Sequence, residues 1–474
     1  MENNHIRGKE EAFRDTISTV DAQGKRKWLF PKKPKGKFTN YRDYLSYVLL
    51  IMLFGTPWVK IDGEPLLMIN VVTRKFVLFG QVFWPQDFYL FGLIMITMVI
   101  FVVLFTTVYG RIFCGWLCPQ TIFMEMVYRK IEYWIDGDYK QAQRLKNQKW
   151  NGEKIRKRVL KYTIFYIIAL AISHTFLAYI IGSDGLIEIQ TSPLKEHLGG
   201  FMAIIGFSWV FFFVFAWFRE QVCLIVCPYG RLQGVMLDRN SLVVAYDYIR
   251  GEGKKGRSKF NKKEDRKETG KGDCIDCNQC VNVCPTGIDI RNGTQLECIN
   301  CTACMDACDF MMDKTGQEEG LIRLDSENAI ADKTIKRVTS KTKAYSVILV
   351  LLVLFIGYLF TLRGNMEASI LRTPGMLFQE TEGGFITNLY NVKVINKSNK
   401  ELNLTFKLID RKGSVEMVGT DILHVEKGAS NQQAFFIKIH QDDLSTKKTE
   451  VVVGVYENGV LLEEDETNFL GPNN

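Results

Sequence analysis

Between residues 274 and 308 the chain writes one arrangement of cysteines twice. It reads Cys274-x2-Cys277-x2-Cys280-x3-Cys284-Pro285, then Cys298-x2-Cys301-x2-Cys304-x3-Cys308. Three thiolates at this spacing cap three irons of a cubane, and the fourth cysteine of each run ligates the other cluster. The spacing therefore predicts two 4Fe–4S clusters. Cys274, Cys277, Cys280 and Cys308 would hold one, and Cys298, Cys301, Cys304 and Cys284 the other. Zinc sites pair two C-x2-C units across a longer gap and fit this pattern poorly. A proline follows Cys284 but Asp309 follows Cys308, so the second corner is expected to be looser while keeping its ligand.

All 12 cysteines lie between Cys114 and Cys308, each in a short-spaced pair or run. That is metal or redox usage, not a secreted disulfide framework. The net charge of +8 would ordinarily point to nucleic acid. Here the basic residues flank apolar blocks, so orientation in a lipid membrane explains them and no nucleic-acid partner is expected.

Residues 1–43 read as a basic cytoplasmic tail, without the short apolar core and cleavage site of a signal peptide. Five spans are expected at 44–59, 88–109, 159–181, 200–218 and 344–362, the first shortened by Gly55 and Pro57. The segment 110–158 is rich in lysine and arginine, whereas 182–199 carries only Lys195. The first is therefore placed inside and the second outside. This puts the tail and the cysteine runs inside and everything after 362 outside. Leu66 to Val72 and Phe76 to Val82 read as a hairpin near the membrane surface, with Trp84 as an interfacial anchor.

Leu242 to Tyr248 reads as a strand. The stretch 250–273 reads as a mobile linker. Its Gly251-x-Gly253-x-x-Gly256 matches a dinucleotide fingerprint by letter only, because no apolar helix follows. After residue 366, apolar alternation at Asn391–Ile395, Leu402–Leu408, Ala434–Ile439 and Val451–Tyr456 predicts a β-sandwich of structural or docking character.

Two further stretches echo each other: Arg111-Ile-Phe-Cys114-Gly-Trp-Leu-Cys118-Pro119, and Arg219-Glu-Gln-Val-Cys223-Leu-Ile-Val-Cys227-Pro228. Each follows the second helix of a hairpin, which suggests a duplicated helical pair. Thiols at i and i+4 share a helix face, and the proline favours a break just after the second. If the hairpins pack as partners, Cys114, Cys118, Cys223 and Cys227 converge. Such a cluster suits Cu(I) or a further metal centre, or cycles as disulfides. The plainer alternative is that small cysteines pack between helices. His174 lies mid-span, a candidate metal or quinone group that would equally serve by bonding a carbonyl across the bundle. Met95 and Met98 are read as packing residues.

The assembled pattern resembles the cytochrome c oxidase accessory proteins, the CcoG/FixG/RdxA family. The resemblance rests on Arg74-Lys75-Phe76, Phe83-Trp84-Pro85-Gln86-Asp87-Phe88, the two C-x3-C-P stretches, Gly272-Asp273-Cys274 and Pro285-Thr286-Gly287-Ile288-Asp289-Ile290-Arg291. It implies an inner-membrane polyferredoxin with a periplasmic immunoglobulin-like end, reducing Cu(II) to Cu(I) for maturation of a cbb3-type oxidase. The expected fold is a multi-domain α+β membrane protein: a helical transmembrane bundle, a bacterial-type double-cluster ferredoxin insertion and a C-terminal immunoglobulin-like β-sandwich. Its expected parts are 1–43 (tail), 44–240 (four-helix membrane domain), 241–343 (linker and ferredoxin), 344–362 (fifth span) and 363–474 (sandwich). The expected partners are an unidentified cytoplasmic electron donor, a copper chaperone or transporter, and oxidase assembly factors; a homodimer is left open. Rival readings are a quinone-linked electron relay and a scaffold for oxidase assembly.

Overall fold

The computed structural model describes residues 18–21, 23–61, 63–70, 75–84, 87–262, 264–332, 339–375, 377–381, 383–398, 400–444 and 446–472. The tail before residue 18, Val71 and Val72 of the expected hairpin, and Arg74, Pro85 and Gln86 of the motifs lie outside these residues. The chain forms two compact units. The first runs to Pro57 and resumes over Phe91–Phe355; the second comprises Trp58–Leu90 and the chain from Ile356.

The helices that matter are α1 (Lys37–Gly55), α2 (Phe88–Tyr109), α3 (Gly152–Ile181), α4 (Leu198–Phe213), α5 (Ala303–Thr315) and α6 (Ser340–Leu362). Among the described residues four stretches are long and apolar enough to cross a membrane: Phe88–Tyr109, Gly152–Ile181, Leu198–Phe218 and Thr342–Leu362. These contain four of the five expected spans. The expected first span differs, because its helix starts earlier, at Lys37, and so takes in Arg42 and Asp43. It is nevertheless tied to the bundle at two points. Near its start Arg42 Nε donates to the Gly115 carbonyl at 2.7 Å, and near its end the Leu53 carbonyl accepts from Tyr179 of α3 at 2.8 Å.

α3 begins where the Asn151 side chain accepts the Lys154 N–H, and ends at Gly182, whose positive φ of 82° stops the helix. It meets α4 through small polar side chains: Ser173 donates to the Ile204 carbonyl at 3.0 Å, and the Tyr166 and Ser208 hydroxyls lie 3.2 Å apart. Phe165, Ile172, Tyr128 and Phe215 fill the core beneath.

The ferredoxin region belongs to the same unit. Strand Val243–Tyr246 pairs antiparallel with Ile322–Asp325, placing the expected strand two residues shorter at the C-terminal end. Val244, Tyr246, Ile288, Ile290, Met305, Met312, Leu321 and Ile322 form its core. α5 is fastened to α1 by one carboxylate. Asp306 accepts the N–H groups of Phe38 at 3.0 Å and Thr39 at 2.7 Å, so it satisfies orphan donors at the start of α1.

The second unit holds a small antiparallel sheet of Leu67–Asn70, Lys75–Leu78 and Gln81–Phe83. The expected second hairpin arm is split by a turn at Phe79 and Gly80, both at positive φ. Trp84 packs onto Met68, Val77 and Val82. Buried Asp87 is held by Arg363 at 2.9 Å and Lys397 at 2.7 Å. The sandwich has one sheet ordered Gly413–Met417, Ser430–His440, Phe385–Asn396 and Met366–Arg372. Its other sheet is ordered Leu423–Val425, Leu402–Leu408, Lys448–Glu457 and Val460–Leu470. Alternate residues of both sheets, among them Val392, Val394, Phe406, Phe435, Ile437 and Val453, fill the space between them.

Candidate functional site

The two ferredoxin runs repeat in backbone as well as in letters. Asp276 and Asn278 sit at φ 52° and 56°, and their counterparts Asn300 and Thr302 at 53° and 62°. These left-handed residues fold each C-x2-C loop back on itself. A helix then starts at the same place in each run, so that Cys280 and Cys304 lie in its first turn. After that the runs diverge. Pro285 disfavours helical backbone at Cys284, and the first helix stops at Asn282. Asp309 imposes no such limit, and α5 continues to Thr315 with Cys308 buried inside it. The looser second corner expected from the missing proline is therefore not found. The corner is a longer helix, and Asp309 accepts the Gly320 N–H at 2.9 Å.

A small cavity is lined by Cys284, Cys298, Cys301 and Cys304, together with Cys280, Val244, Thr286, Ile288, Ile290, Ile299 and Thr302. Four of these five thiols are the set the spacing assigns to the second cluster, with Cys284 arriving from the other run. The donor set and the apolar walls fit a 4Fe–4S cluster. The first set gathers likewise: the Cys308 thiol lies within electrostatic reach of Cys280, Cys274 and Cys277. Burial pushes the thiols of Cys280 and Cys298 up to about 12 and that of Cys301 to about 11. They stay protonated at neutral pH until a metal displaces the proton.

The C-x3-C-P echoes are also a structural repeat. Gly110 and Arg219, each four residues before the first thiol, share φ values of 58° and 56°. Cys118 and Cys227 share an extended backbone (φ −64°, ψ 123° and φ −68°, ψ 111°), and Pro119 and Pro228 each open a helix. In both, the second cysteine's N–H reaches the carbonyl five residues back, at 2.9 Å to Phe113 and 2.8 Å to Val222. Such wide turns recur at functional sites. The fold brings the four thiols together. Cys114 senses Cys118 and Cys227, and Cys223 senses Cys118, Cys114 and Cys227. Burial is the larger effect and raises them to about 11 and about 12 respectively. Among the described residues no three histidine, cysteine or carboxylate groups close around one point tightly enough for a single ion.

The thiol site shares a wall with the second ferredoxin set. Cys114 and Cys304 both pack onto the small core cluster of Val283, Ile299, Cys301 and Ala303. Gly115 is required there, because a Cβ would collide with the Ile299 carbonyl oxygen. Trp116 Nε1 donates to the Asn300 carbonyl at 3.2 Å. Buried Gln233 accepts through one oxygen from the Cys114 thiol and from Arg111 Nε, both at 3.1 Å. The Arg111 charge is felt at Cys298 as well as at Cys114.

His174 is not drawn into this site. Its Nδ1 donates to the Leu170 carbonyl at 2.8 Å, one turn back in α3 itself, rather than to a carbonyl across the bundle. Met95 and Met98 point outward, about half exposed. Sequence reading missed a buried ion network next to the second echo. Arg219 donates to both oxygens of Glu132 at 2.5 and 2.7 Å, Lys161 bridges Glu132 and Asp136 at 2.7 and 2.8 Å, and Arg129 reaches Glu125 at 3.1 Å. Burial alone would raise the Glu132 carboxyl, but Arg219 and Lys161 hold it well below the usual range. The signal was available: Arg219 and Glu220 sit at the end of a long apolar run.

Three family models match the chain: a 4Fe–4S binding domain over residues 91–139, a 4Fe–4S dicluster domain over 218–327, and the IG-like fold at the C-terminus of FixG, putative oxidoreductase, over 356–472. Protein RdxA of Cereibacter sphaeroides is 32% identical over 390 residues, 79% of this chain and 80% of that protein. Protein RdxB of the same organism is 33% identical over 394 residues, 80% of this chain and 81% of its own length. The nitrogen fixation protein FixG of Rhizobium meliloti is 34% identical over 322 residues, 65% of this chain and 60% of that protein. This chain belongs to the FixG/RdxA family. It is an iron–sulfur membrane protein of electron-transfer type, and the FixG-type C-terminal fold accounts for the sandwich.

Proposed function

We propose that this FixG/RdxA-family member carries electrons from its ferredoxin region to the four-thiol site, where Cu(II) is reduced to Cu(I) for assembly of a cbb3-type oxidase. Cys274, Cys277, Cys280 and Cys308 hold one 4Fe–4S cluster; Cys298, Cys301, Cys304 and Cys284 hold the other. These clusters supply one-electron storage when bound. The observation that carries the reading is the packing of Cys114 onto the core cluster that contains Cys301. The next residue, Gly115, lies against the backbone of Ile299 and Cys301, so the first C-x3-C-P segment abuts the loop of the second cysteine set.

Copper is the substrate. Each Cu(II) takes one electron and leaves as Cu(I), the state that soft thiolates favour. Arg111 beside Cys114 opposes a bound cation, which suits a site that must release its product to a chaperone or transporter. The ferredoxin side faces the cytoplasm and a protein electron donor, the membrane is the inner membrane, and the sandwich lies in the periplasm.

The test replaces all four thiols by serine (Cys114→Ser, Cys118→Ser, Cys223→Ser, Cys227→Ser). Chemically reduced protein is then assayed for Cu(II) reduction with a Cu(I) chelator. Turnover is expected to fall to background while iron content and the electron paramagnetic signal of the ferredoxin region stay as in the parent. Unchanged turnover removes the thiols from the site.

A further inference from the structure

The stretch 250–273 holds ten lysines and arginines against five aspartates and glutamates. The mobile linker expected there is instead folded back on the ferredoxin region. Gly253 and Lys271 form an antiparallel bridge. The N–H groups of Lys254 and Lys255 both reach the Gly270 carbonyl, at 2.9 and 3.0 Å, and the Gly272 N–H reaches the Gly256 carbonyl at 3.2 Å. Arg266, only 8% exposed, is the clamp. Its guanidinium donates to the Gly272 carbonyl, to the Cys274 carbonyl at 3.2 Å and to the Lys259 carbonyl at 3.3 Å. The Cys274 N–H in turn reaches the Gly251 carbonyl at 3.2 Å. The hairpin is thus fixed to the first cysteine of the first run.

Three of its five acids are paired with its own cations, while Asp265 and Glu268 are exposed. Asp273 meets Arg250 at 2.5 Å, Glu264 meets Lys271 at 2.6 Å and Glu252 meets Arg257 at 3.1 Å. Lys254, Lys255, Lys259 and Lys262 are exposed. Phe260 is exposed among them. The neighbouring Cys277 is half-buried, so the first cysteine set lies near the surface on this side. A positive rim beside a redox centre steers an oppositely charged partner and raises its association rate.

We propose that the hairpin 250–273 is the docking surface for an acidic one-electron carrier protein that delivers electrons at the Cys274, Cys277, Cys280 and Cys308 end of the ferredoxin region. This rests on the electron-transfer reading above and names the donor's chemistry. One electron leaves the carrier and is gained by this chain, with no bond made or broken. The anchoring contacts favour a protein over a lipid surface, since Gly251, Arg266 and Cys274 tie the hairpin to the cluster side.

The experiment uses the full chain in nanodiscs of zwitterionic lipid, with a flavodoxin as the acidic carrier. Binding of the oxidised carrier is measured directly, so the readout does not depend on turnover, and the rate of electron delivery from the reduced carrier is measured alongside. Charge reversal in K254E/K255E/K259E/K262E is expected to slow association by about 10-fold or more at low salt. K254Q/K255Q/K259Q/K262Q is expected to give an intermediate loss, and parent binding weakens as salt rises. Equal iron content shows that the variants are folded. Parent-like, salt-independent carrier binding in the reversal variant overturns the proposal. So does a loss of affinity seen only for nanodiscs containing anionic lipid, which would make the hairpin a lipid contact. If carrier binding behaves as expected but a photoreduced parent fails to reduce Cu(II), the docking surface stands and the copper reading falls.

Discussion

The ferredoxin cysteines and the four membrane-end thiols are both duplicated sets of one residue type, yet they are built differently. The ferredoxin thiols sit on loops turned by left-handed residues and on the helices that follow them, and five of them line one small cavity with apolar walls. The other four sit at two helix breaks far apart in the chain, beside a buried arginine and glutamine. The first arrangement encloses a resident group. The second presents thiols at a wall next to a fixed positive charge, which holds a cation less tightly. The first set also needs little beyond its own loops, whereas the second depends on how α3, α4 and the segments after α2 and α4 are pinned together.

The largest expected effect tests that dependence. Glu132 answers Arg219, Lys161 and Arg129 at the turn leading to Cys223. Glu132→Gln removes one carboxylate and leaves three buried cations short of a partner, a loss of about 3–5 kcal/mol. Thermal unfolding in detergent reads it. The sign with pH follows from the depressed carboxyl: its contribution is complete above the ordinary glutamate pKa and is lost as pH falls toward its lower folded value. The parent should therefore lose stability on acidification more steeply than the variant. Copper reduction should fall before the iron–sulfur absorbance does. A variant as stable as the parent would show that the network does not support the thiol turn.

The next effect concerns the ferredoxin set alone. Asp309→Pro makes the second run match the first in sequence. Position 309 lies inside α5, so a proline there removes a backbone hydrogen bond and clashes with the preceding turn, a loss of about 3 kcal/mol. Unfolding midpoint and iron content measure it. Parent stability in the variant would mean that the two corners are interchangeable.

The double cysteine run was legible because its ligands are close in sequence and their spacing is chemistry in itself. The sandwich strands were legible from their alternation, as at Leu402–Leu408, where burial follows the pattern. The C-x3-C-P echoes announced themselves by repetition, but what surrounds them did not. Gln233 becomes a neighbour of Cys114, and Glu132 of Arg219, only through contacts between distant segments, and no periodicity encodes such contacts. The hairpin 250–273 was misread for a related reason. Its composition is that of a flexible linker, and the Gly253–Lys271 bridge and Arg266, folded back onto Cys274, turn it into structure.

The smallest stability effect falls at the junction between the two thiol sets, where it separates packing from function. Gly115 faces the Ile299 carbonyl and the backbone of Asn300 and Cys301, with no room for a side chain. Gly115→Ala must push the first C-x3-C-P segment away from the ferredoxin loop, an overpacking loss of about 1–3 kcal/mol. The bundle and the ferredoxin core each keep their own contacts, so both should stay folded with full iron content. The separation between Cys114 and Cys301 grows, however, and the Trp116 bond to Asn300 is stretched with it. Electron delivery from photoreduced protein to Cu(II) should slow out of proportion to the change in unfolding midpoint. If it does not slow, electrons do not cross at this contact, and the two sets are neighbours in space without being steps of one path.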